Sequence, residues 1–426
     1  MDELLAGFSR IEITPDQMGH RLIGYSTRTG PAVGVHDRLW ARVLVLRQGH
    51  SAWALCALDV CLIPPAITAE VRRIVAQGTE LRPDAIAIVA THTHSAPLLI
   101  DTPNWSVPVA TLVARAISAA WESAVPARVA AGAGVLYGHS INRRWLDRPV
   151  DPAVGVLRVD ATDGRTLGSV LNFACHPVVL GADNLLVSAD YVGYATALVE
   201  RELGGVCLFT NGGCGDVNPF TAIARRTLAE GRPIVTMVPG AKYHGSGPEA
   251  LHIGNRAGGT FDEAEELGIA LGHEALAVVR GLVPTIPDRP PWSVQVFVNH
   301  LDEGEELIET QALGVGDLAL AAYPGEVFGE SALAVKAGLR AHGYGQAWLV
   351  SYANDWQSYL APASAFPEGG YEVDCARAER HSPQLQERMW SGLSAALGSI
   401  PTPEPKASLV RPLSRWAIDP DAANQI

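Results

Sequence analysis

Short apolar segments alternate with longer segments of helical periodicity along most of this 426-residue chain. The first examples are two strand candidates at 41–47 and 52–59, a helix candidate at 65–76 and a compact apolar run at 85–90. Strands that alternate with helices are typical of a sheet that is covered by helices. The pattern therefore predicts a mixed α/β fold with a largely buried sheet flanked by helices.

The same alternation continues to about residue 353. Strands are predicted over 128–137, 154–159, 168–174, 206–210, 293–300, 318–323 and 347–353, and helices over 109–123, 191–203, 261–280 and 326–342. No segment within residues 1–400 has the composition of an interdomain linker. We predict one large domain over 1–400 and a Pro-rich C-terminal tail over 401–426.

Charge and apolar content narrow the range of partners. The chain has 32 Lys and Arg against 45 Asp and Glu, a formal net charge of −13, so it offers no basic face for nucleic acid. Its apolar runs are shorter than the roughly 18–20 residues that a membrane-spanning helix needs, so no transmembrane segment is expected. The oligomeric state stays open.

The N-terminal segment and the cysteines bear on the cellular compartment. The segment MDELLAGFSRIEITP is acidic and has no basic stretch followed by an apolar core. We therefore expect no signal peptide and a cytoplasmic location. The six cysteines contain no CxxC pair, and several lie in apolar runs. This pattern predicts reduced, buried thiols and no disulfide framework.

Polar, turn-prone clusters follow the apolar strands at several points. The carboxyl ends of strands line the ligand crevice in open α/β sheets, so we expect the site loops there. The clusters are ATHTHSAP (90–97), HSINRRW (139–145), NFACHP (172–177), TNGGCGDVNPF (210–220), YPGEVFGE (323–330) and SYANDWQSYLAP (351–362).

Three of these clusters contain residues that bind zinc in other proteins. His92 and His94 lie two positions apart, so in an extended segment both side chains share one face. His176 and Glu326 also come at predicted strand ends. Each signal alone also fits a polar residue that ends a strand. Together they form a set of two histidines and one glutamate, which is known from catalytic zinc sites and predicts bound Zn²⁺.

The glycine-rich turn at 211–216 allows two interpretations. It is a tight structural turn, or its backbone N–H groups approach a substrate oxygen while Asp216 holds a water or a histidine. No P-loop lysine follows it and the chain has no GxSxG motif, so nucleotide binding and a serine hydrolase mechanism are disfavoured. Arg143 and Arg144 are either surface charges or holders of a carbonyl or carboxylate oxygen.

Several segments occur in the same order as in a known family. They are AGFSRIEITP, GVHDRLWARVLVL, THTHSAP, the INR of 141–143, FACHP followed by SADYVGYA, GDVNP, PGE, and the stretch containing Asn354, Tyr359, Tyr371 and Glu372. From about residue 6 to about residue 372, the chain resembles the N-terminal catalytic domain of the neutral/alkaline non-lysosomal ceramidases.

The resemblance implies a zinc amidase that cuts the N-acyl bond of ceramide with a metal-activated water, and thus a role in sphingolipid metabolism. Carried over by position, it implies that His92, His176, Glu326 and Tyr359 bind the zinc. It places His94 beside the metal as a polar group that does not bind it. Without the resemblance, Tyr359 would be read as a core or rim tyrosine.

The resemblance also implies the residues that act on the substrate. Arg143 and Tyr371 would contact the substrate carbonyl or its developing oxyanion, and Asp216 would be a general base near the zinc-bound water. The proton could instead pass through His94. The same site could cleave an ester or a lactone, and a metal-binding protein without catalysis is the remaining alternative.

The chain departs from the family pattern at three points. We expect no signal peptide and no C-terminal immunoglobulin-like domain, and Asn218 occurs where ceramidases commonly have serine. These departures extend the expected substrates to smaller, more soluble amides or esters. The segment 222–260 is rich in Gly, Pro and charge and is expected to form a loop at the pocket rim. Its His244, Glu249 and His252 fit no ligand spacing, so a second cation is not implied and the question stays open.

Overall fold

The structure is a computed structural model of the chain. It describes residues 2–26, 28–99, 105–145, 147–222, 225, 229 and 259–400. The tail predicted at 401–426, and the loop residues His244, Glu249 and His252, lie outside these described residues.

Strands and helices alternate as the sequence predicts. In chain order the strands are β1 (Leu5–Glu12), β2 (Gly34–Val35), β3 (Trp40–Gln48), β4 (Ser51–Leu58), β5 (Ile86–Ala90), β6 (Val125–Val135), β7 (Ser140–Asn142), β8 (Ala153–Ala161), β9 (Thr166–Phe173), β10 (Leu186–Val187), β11 (Val206–Asn211), β12 (Val217–Pro219), β13 (Trp292–Asn299), β14 (Leu307–Val315), β15 (Leu318–Ala322), β16 (Glu326–Val327), β17 (Gln346–Val350) and β18 (Tyr359–Leu360). The helices are α1 (Pro65–Gly78), α2 (Val109–Glu122), α3 (Tyr191–Leu203), α4 (Phe261–Gly281), α5 (Gly329–Ala341), α6 (Tyr371–Ala378) and α7 (Leu385–Leu397).

The longer strands form two mixed sheets. The larger sheet has the order β11-β9-β8-β6-β1-β3-β4-β5, and the smaller has the order β13-β14-β15-β17. Most neighbours are antiparallel, but β4–β5, β9–β11 and β15–β17 are parallel pairs. Three short two-stranded pairs, β2–β10, β7–β12 and β16–β18, join loops at the ends of these sheets.

The two sheets pack face to face between layers of helices. Alternate residues of β3 point to opposite faces, as the pleat of a strand requires. Leu44 and Leu46 pack with residues of the smaller sheet, while Val43 and Val45 pack with α1 and α2. The Trp53 indole donates a hydrogen bond to the Gly314 carbonyl oxygen across the two sheets, at 2.9 Å. Because the sheets cover each other, their strands are apolar on both faces.

Helices cover the two outer faces. On the larger sheet, α3 and α4 pack over β8, β9 and β11 in one buried cluster, beside α1 and α2. On the smaller sheet, α5 and α7 pack over β14, β15 and β17. The result is a four-layer arrangement of helix, sheet, sheet and helix. Burying one large aliphatic side chain contributes about 1.5–3 kcal/mol, so these interfaces dominate the stability of the fold.

The predicted fold class is confirmed, with corrections to individual elements. The helix predicted at 326–342 begins later, at Gly329, because Glu326 and Val327 pair with β18 as a short strand. The sequence prediction also missed β14, α6 and α7. All six cysteines are free, and all are buried except Cys375, which is partly exposed.

None of the helices in the described part of the chain is long and apolar enough to cross a bilayer.

Candidate metal centre

The ends of strands from both sheets meet at one edge of the molecule. The Asn211 side-chain amide, at the end of β11, donates to the carbonyl oxygens of Thr91 and Cys175, at 3.3 and 3.2 Å. The backbone N–H of Ser351, just after β17, donates to the Asn211 carbonyl oxygen at 2.9 Å. Hydrogen bonds therefore connect the loops after β5, β9, β11 and β17, as expected from the polar clusters that follow these strands.

Two histidines and one glutamate converge at this edge. His92 follows β5, His176 follows β9, and Glu326 forms β16 just after β15. The His92 and His176 Nε2 atoms lie 3.2 Å apart, and the Glu326 Oε2 atom lies 2.9 Å from His176 Nε2 and 3.6 Å from His92 Nε2. Two nitrogens bound to one zinc at about 2.0–2.1 Å lie roughly 3.4 Å apart, so one ion can bridge this set.

The hydrogen bonds of the two imidazoles point to a cation. Nδ1 of His92 lies 2.6 Å from the Cys61 carbonyl oxygen, and Nδ1 of His176 lies 2.6 Å from the Cys214 carbonyl oxygen. A carbonyl oxygen only accepts, so each Nδ1 carries the proton and each neutral ring presents a lone pair at Nε2. Two lone pairs and a carboxylate oxygen then face one another, an arrangement that a metal ion stabilises.

Burial keeps these histidines neutral. It lowers the pKa of both His92 and His176 to about 3, although the Glu326 carboxylate partly opposes the shift at His92. Burial also raises the pKa of Glu326, against the effect of His92 and Arg143. Neutral imidazole is the form that binds metals, and a buried carboxylate gains most from a bound cation. The donor set therefore fits a zinc ion.

His94 lies beside this set. Its Nε2 atom is 3.0 Å from His92 Nε2. Arg28, which is almost fully buried, donates to the His94 carbonyl oxygen at 2.8 Å, and the Tyr25 ring meets the imidazole edge to face. A Cβ atom on Gly24 would lie 2.3 Å from His94 Nδ1, so only glycine lets this loop approach the ring. His94 is thus held next to the candidate ligands.

Strand pairing places Tyr359 beside Glu326. It lies opposite Glu326 in the parallel pair β16–β18, and its hydroxyl hydrogen-bonds to the Glu326 carboxylate. The hydroxyl also accepts a hydrogen bond from Arg143 Nη2 at 2.8 Å. Burial raises the pKa of Tyr359 well above its ordinary value, although the Arg143 charge opposes the shift.

Arg143 and Arg144 are buried, which excludes the surface-charge interpretation for both. Nε of Arg143 donates to Glu372 Oε1 and Nη1 of Arg144 donates to Glu372 Oε2, both at 2.8 Å. Arg143 Nη1 also donates to the Asn218 side-chain oxygen at 3.2 Å. Glu372 is fully buried, and its pKa is lowered because the two guanidinium charges outweigh the effect of burial. Glu372 therefore fixes the direction of Arg143.

Tyr371 is the first residue of α6 and stands next to Tyr359. The two rings meet edge to face with their centroids 5.4 Å apart. The loop before α6 brings Tyr371 back to the site. Tyr371 is only partly buried, so this side of the site is open to solvent.

The glycine-rich turn is structural in the contacts that the structure describes. The N–H groups of Gly212 and Gly215 donate to the carbonyl oxygens of Phe173 and Val327. Asp216 accepts from the Gly329 N–H through Oδ1 and from the Asn142 side chain through Oδ2, both at 2.7 Å. Asp216 therefore joins the loop before Arg143 to the start of α5. The structure contains no described hydrogen bond from Asp216 to the metal-binding candidates.

All predicted site residues thus lie in one neighbourhood, with Asp216 at its edge. Sequence reasoning missed Glu372 as the partner of Arg143 and Arg144. Two adjacent arginines in an apolar chain are a usable signal, since buried guanidinium groups need a carboxylate. It also missed Tyr352, whose ring stacks on His92 with centroids 3.9 Å apart, and no sequence signal marks that residue.

The chain is similar in sequence to known proteins. Residues 4–250 match the sequence model of the family described as neutral/alkaline non-lysosomal ceramidase, N-terminal. The chain is 24% identical to a neutral ceramidase of Mycobacterium tuberculosis over 520 aligned residues, covering 96% of this chain and 80% of that protein. It is 26% identical to a neutral ceramidase of Pseudomonas aeruginosa over 245 residues, covering 50% of this chain and 36% of that protein.

The fold is also found among solved structures. The crystal structure of neutral ceramidase from Pseudomonas aeruginosa superposes with a TM-score of 0.75 at 17% sequence identity. The superposition covers 96% of this chain and 76% of that one. The four-layer architecture is therefore shared over nearly the whole chain.

Proposed function

Because the chain belongs to the neutral/alkaline non-lysosomal ceramidase family, we propose that it is a zinc-dependent amidohydrolase that cleaves an N-acyl amide bond. The observation that carries the proposal is the convergence of His92 Nε2, His176 Nε2 and Glu326 Oε2, each presenting a lone pair to one point. The hydroxyl of Tyr359 completes a set of four donors. Catalytic zinc typically has three protein ligands and one position for water, and it sometimes becomes five-coordinate.

The substrate class comes from the family and from the relatives named neutral ceramidases. We propose a ceramide-like N-acyl amide, or a smaller amide with the same acyl–nitrogen bond. Asn218 supports the inclusion of smaller amides among the substrates, because its side-chain amide lies against Arg143 inside the site.

Arg143 is suited to bind the substrate oxygen. A guanidinium group has five N–H donors, and the described contacts of Arg143 use three of them, to Glu372, Asn218 and Tyr359. Two donors remain for a carbonyl oxygen that gains negative charge during the reaction. Tyr371 offers a further hydroxyl donor from the open side. Each well-placed donor to a developing oxyanion contributes roughly 3–4 kcal/mol to the transition state.

His94 is suited to move the proton. Burial and the neighbouring His92 and His176 lower its pKa well below the ordinary value, which makes the ring neutral but a weak base, so the case for His94 rests on its position, with Nε2 3.0 Å from His92 Nε2. Bound zinc supplies a Lewis acid and lowers the pKa of a coordinated water toward about 7. We propose that His94 takes the proton from the attacking water and returns it to the leaving nitrogen. Asp216 remains the alternative base, and its hydrogen bonds from Gly329 and Asn142 also position the segment of Arg143.

Metal analysis joined to a matched amide and ester assay tests the proposal. The purified chain is expected to contain one zinc per molecule and to cleave a short-chain fluorescent ceramide analogue. Activity should disappear with a chelator and return with zinc. His176→Ala should lose both zinc and activity, whereas the control His342→Gln, at the C-terminal end of α5, should keep both.

Three results contradict the proposal. They are absence of zinc, amide cleavage that resists the chelator, and a His176→Ala variant that keeps its activity. Cleavage of the ester but not of the matched amide would establish the esterase alternative in its place.

A further inference from the structure

Tyr352 packs against His92, one of the candidate metal ligands. It follows β17 and is fully buried. Its ring stacks on the His92 imidazole with centroids 3.9 Å apart and planes inclined by 9°. Its hydroxyl lies 3.1 Å from the Cys214 sulfur. The side chain therefore covers one face of the His92 ring with its own ring and contacts Cys214 with its hydroxyl.

Cys214 connects Tyr352 to the second histidine. The Cys214 carbonyl oxygen accepts the Nδ1 hydrogen bond of His176, which sets the tautomer and the direction of that ring. The Tyr352 hydroxyl and the Cys214 thiol share one hydrogen bond, and burial raises the pKa of both groups, so both stay protonated. One tyrosine side chain thus contacts His92 directly and His176 through one residue.

The Tyr352 backbone reaches the remaining segments. The Ala90 N–H, at the end of β5, donates to the Tyr352 carbonyl oxygen at 3.1 Å. The Tyr352 N–H donates to the carbonyl oxygen of Gly325 at 3.2 Å, one residue before Glu326. The segments of His92 and Glu326 are therefore attached directly to this one residue, and His176 is linked to it through Cys214.

The backbone conformation of Tyr352 is strained. Its φ angle is +60°, in the left-handed region that bulky residues rarely adopt. His92, the residue on which it stacks, has a φ angle of +71°. Such conformations persist only where the surrounding structure holds them, and they concentrate at functional sites. The packing that holds Tyr352 in this conformation is the same packing that arranges the histidines.

We propose that Tyr352 is a positioning residue of the metal centre, which holds His92 by stacking and His176 through Cys214. The inference rests on the proposed function, since it requires a metal at His92, His176 and Glu326. Groups that orient metal ligands from outside typically change metal affinity by about 10–100-fold when they are mutated. Tyr352 should therefore set zinc affinity without touching the ion.

Zinc affinity, measured by competition with a chromophoric chelator, tests this role. Tyr352→Leu removes the stacking ring and should weaken zinc binding about 10–100-fold. Tyr352→Phe keeps the ring and removes the hydroxyl, and should weaken it by a smaller factor, about threefold. The controls are Tyr323→Leu and Tyr323→Phe, because Tyr323 is also fully buried and its hydroxyl has no hydrogen-bond partner in the described structure. Both controls should bind zinc as the wild type does.

A double-mutant cycle covers the case in which Tyr352→Leu does not fold. Tyr352→Phe and Cys214→Ala each remove one side of the same hydrogen bond, so their combined effect on zinc affinity should be smaller than the product of the single effects. Tyr352 variants that bind zinc as tightly as the Tyr323 variants, or a cycle without coupling, would overturn the inference. A wild type that binds no zinc would instead contradict the proposed function.

Discussion

Glu372→Gln removes the negative charge from between two buried arginines while keeping the shape of the side chain. In the wild type, Glu372 Oε1 accepts from Arg143 and Oε2 from Arg144, both at 2.8 Å, and neither Glu372 nor Arg144 has exposed surface. Removing one partner of a buried ion pair costs about 3–5 kcal/mol, because the other charge stays buried without compensation.

The expected loss lies near the lower end of that range. Arg144 keeps contacts with Glu368 and the Gly369 carbonyl oxygen, and Arg143 keeps Tyr359. We therefore expect Glu372→Gln to lower the free energy of unfolding by about 3 kcal/mol, roughly a hundredfold in the unfolding equilibrium. Arg143 also loses its fixed direction, so kcat should fall about 10–100-fold, with zinc content unchanged.

Denaturant unfolding at several pH values measures this effect. The matched control is Glu368→Gln, which removes a partly exposed carboxylate that also contacts Arg144, with an expected loss of about 1 kcal/mol or less. The pKa of Glu372 is lowered from 4.5 in the folded protein. Its contribution is therefore fully present above about pH 4.5 and is lost as the pH falls through the lower folded value. The difference between Glu372→Gln and wild type should shrink over that acidic range. Equal effects of the two variants, or a difference that does not depend on pH, would refute the buried-charge reasoning.

Further predictions concern the transition state and the close contacts of the site. Tyr371→Phe and Arg143→Ala should each lower kcat by about two to three powers of ten, while the zinc content stays near one per chain. Metal analysis and steady-state kinetics measure the two quantities. Loss of zinc in Tyr371→Phe would instead make that tyrosine a ligand. Gly215→Ala should weaken zinc binding at least tenfold in the chelator competition, because its Cβ would lie 2.6 Å from the Glu326 carbonyl oxygen. Gly281→Ala, whose Cβ meets no atom within 4 Å, should leave zinc affinity unchanged, and equal affinity in both glycine variants would show that this close contact does not matter.

The order and type of most elements could be predicted from the sequence because apolar periodicity is local. The helix α3 was predicted with the bounds that the structure shows. The strand β14 was missed because Glu309, Thr310 and Gln311 interrupt its apolar pattern. These polar side chains are accommodated by distant partners, such as Arg72 for Glu309. Sequence periodicity carries no information about such partners.

The division into two sheets also lay beyond the sequence pattern. A strand that is buried on both faces has a continuous apolar sequence, whether helices or a second sheet cover it. The sequence therefore does not distinguish the two cases. The side-by-side position of β5 and β17 at the site depends on how the sheets pack, as the contact between Val89 and Ala353 shows. The pattern could predict that polar clusters follow strands, but not which strand ends meet.

The candidate site shows the same limit. His92, His176 and Glu326 could be proposed from their residue types and their places at strand ends. Tyr359 came only from the family resemblance, because a tyrosine that begins a two-residue strand has no distinguishing pattern. Tyr352 could not be found at all, since its role depends on stacking and on a φ angle that the sequence does not reveal.

The central claim is that one zinc ion lies among His92, His176, Glu326 and Tyr359. Anomalous diffraction from crystals of the purified protein, recorded on both sides of the zinc absorption edge, tests it most directly. We predict one strong peak about 2.0–2.2 Å from His92 Nε2, His176 Nε2 and a Glu326 carboxylate oxygen, with the Tyr359 hydroxyl also in the coordination sphere. A zinc-replete crystal with no peak at this position, or with its zinc bound elsewhere in the chain, would contradict the account.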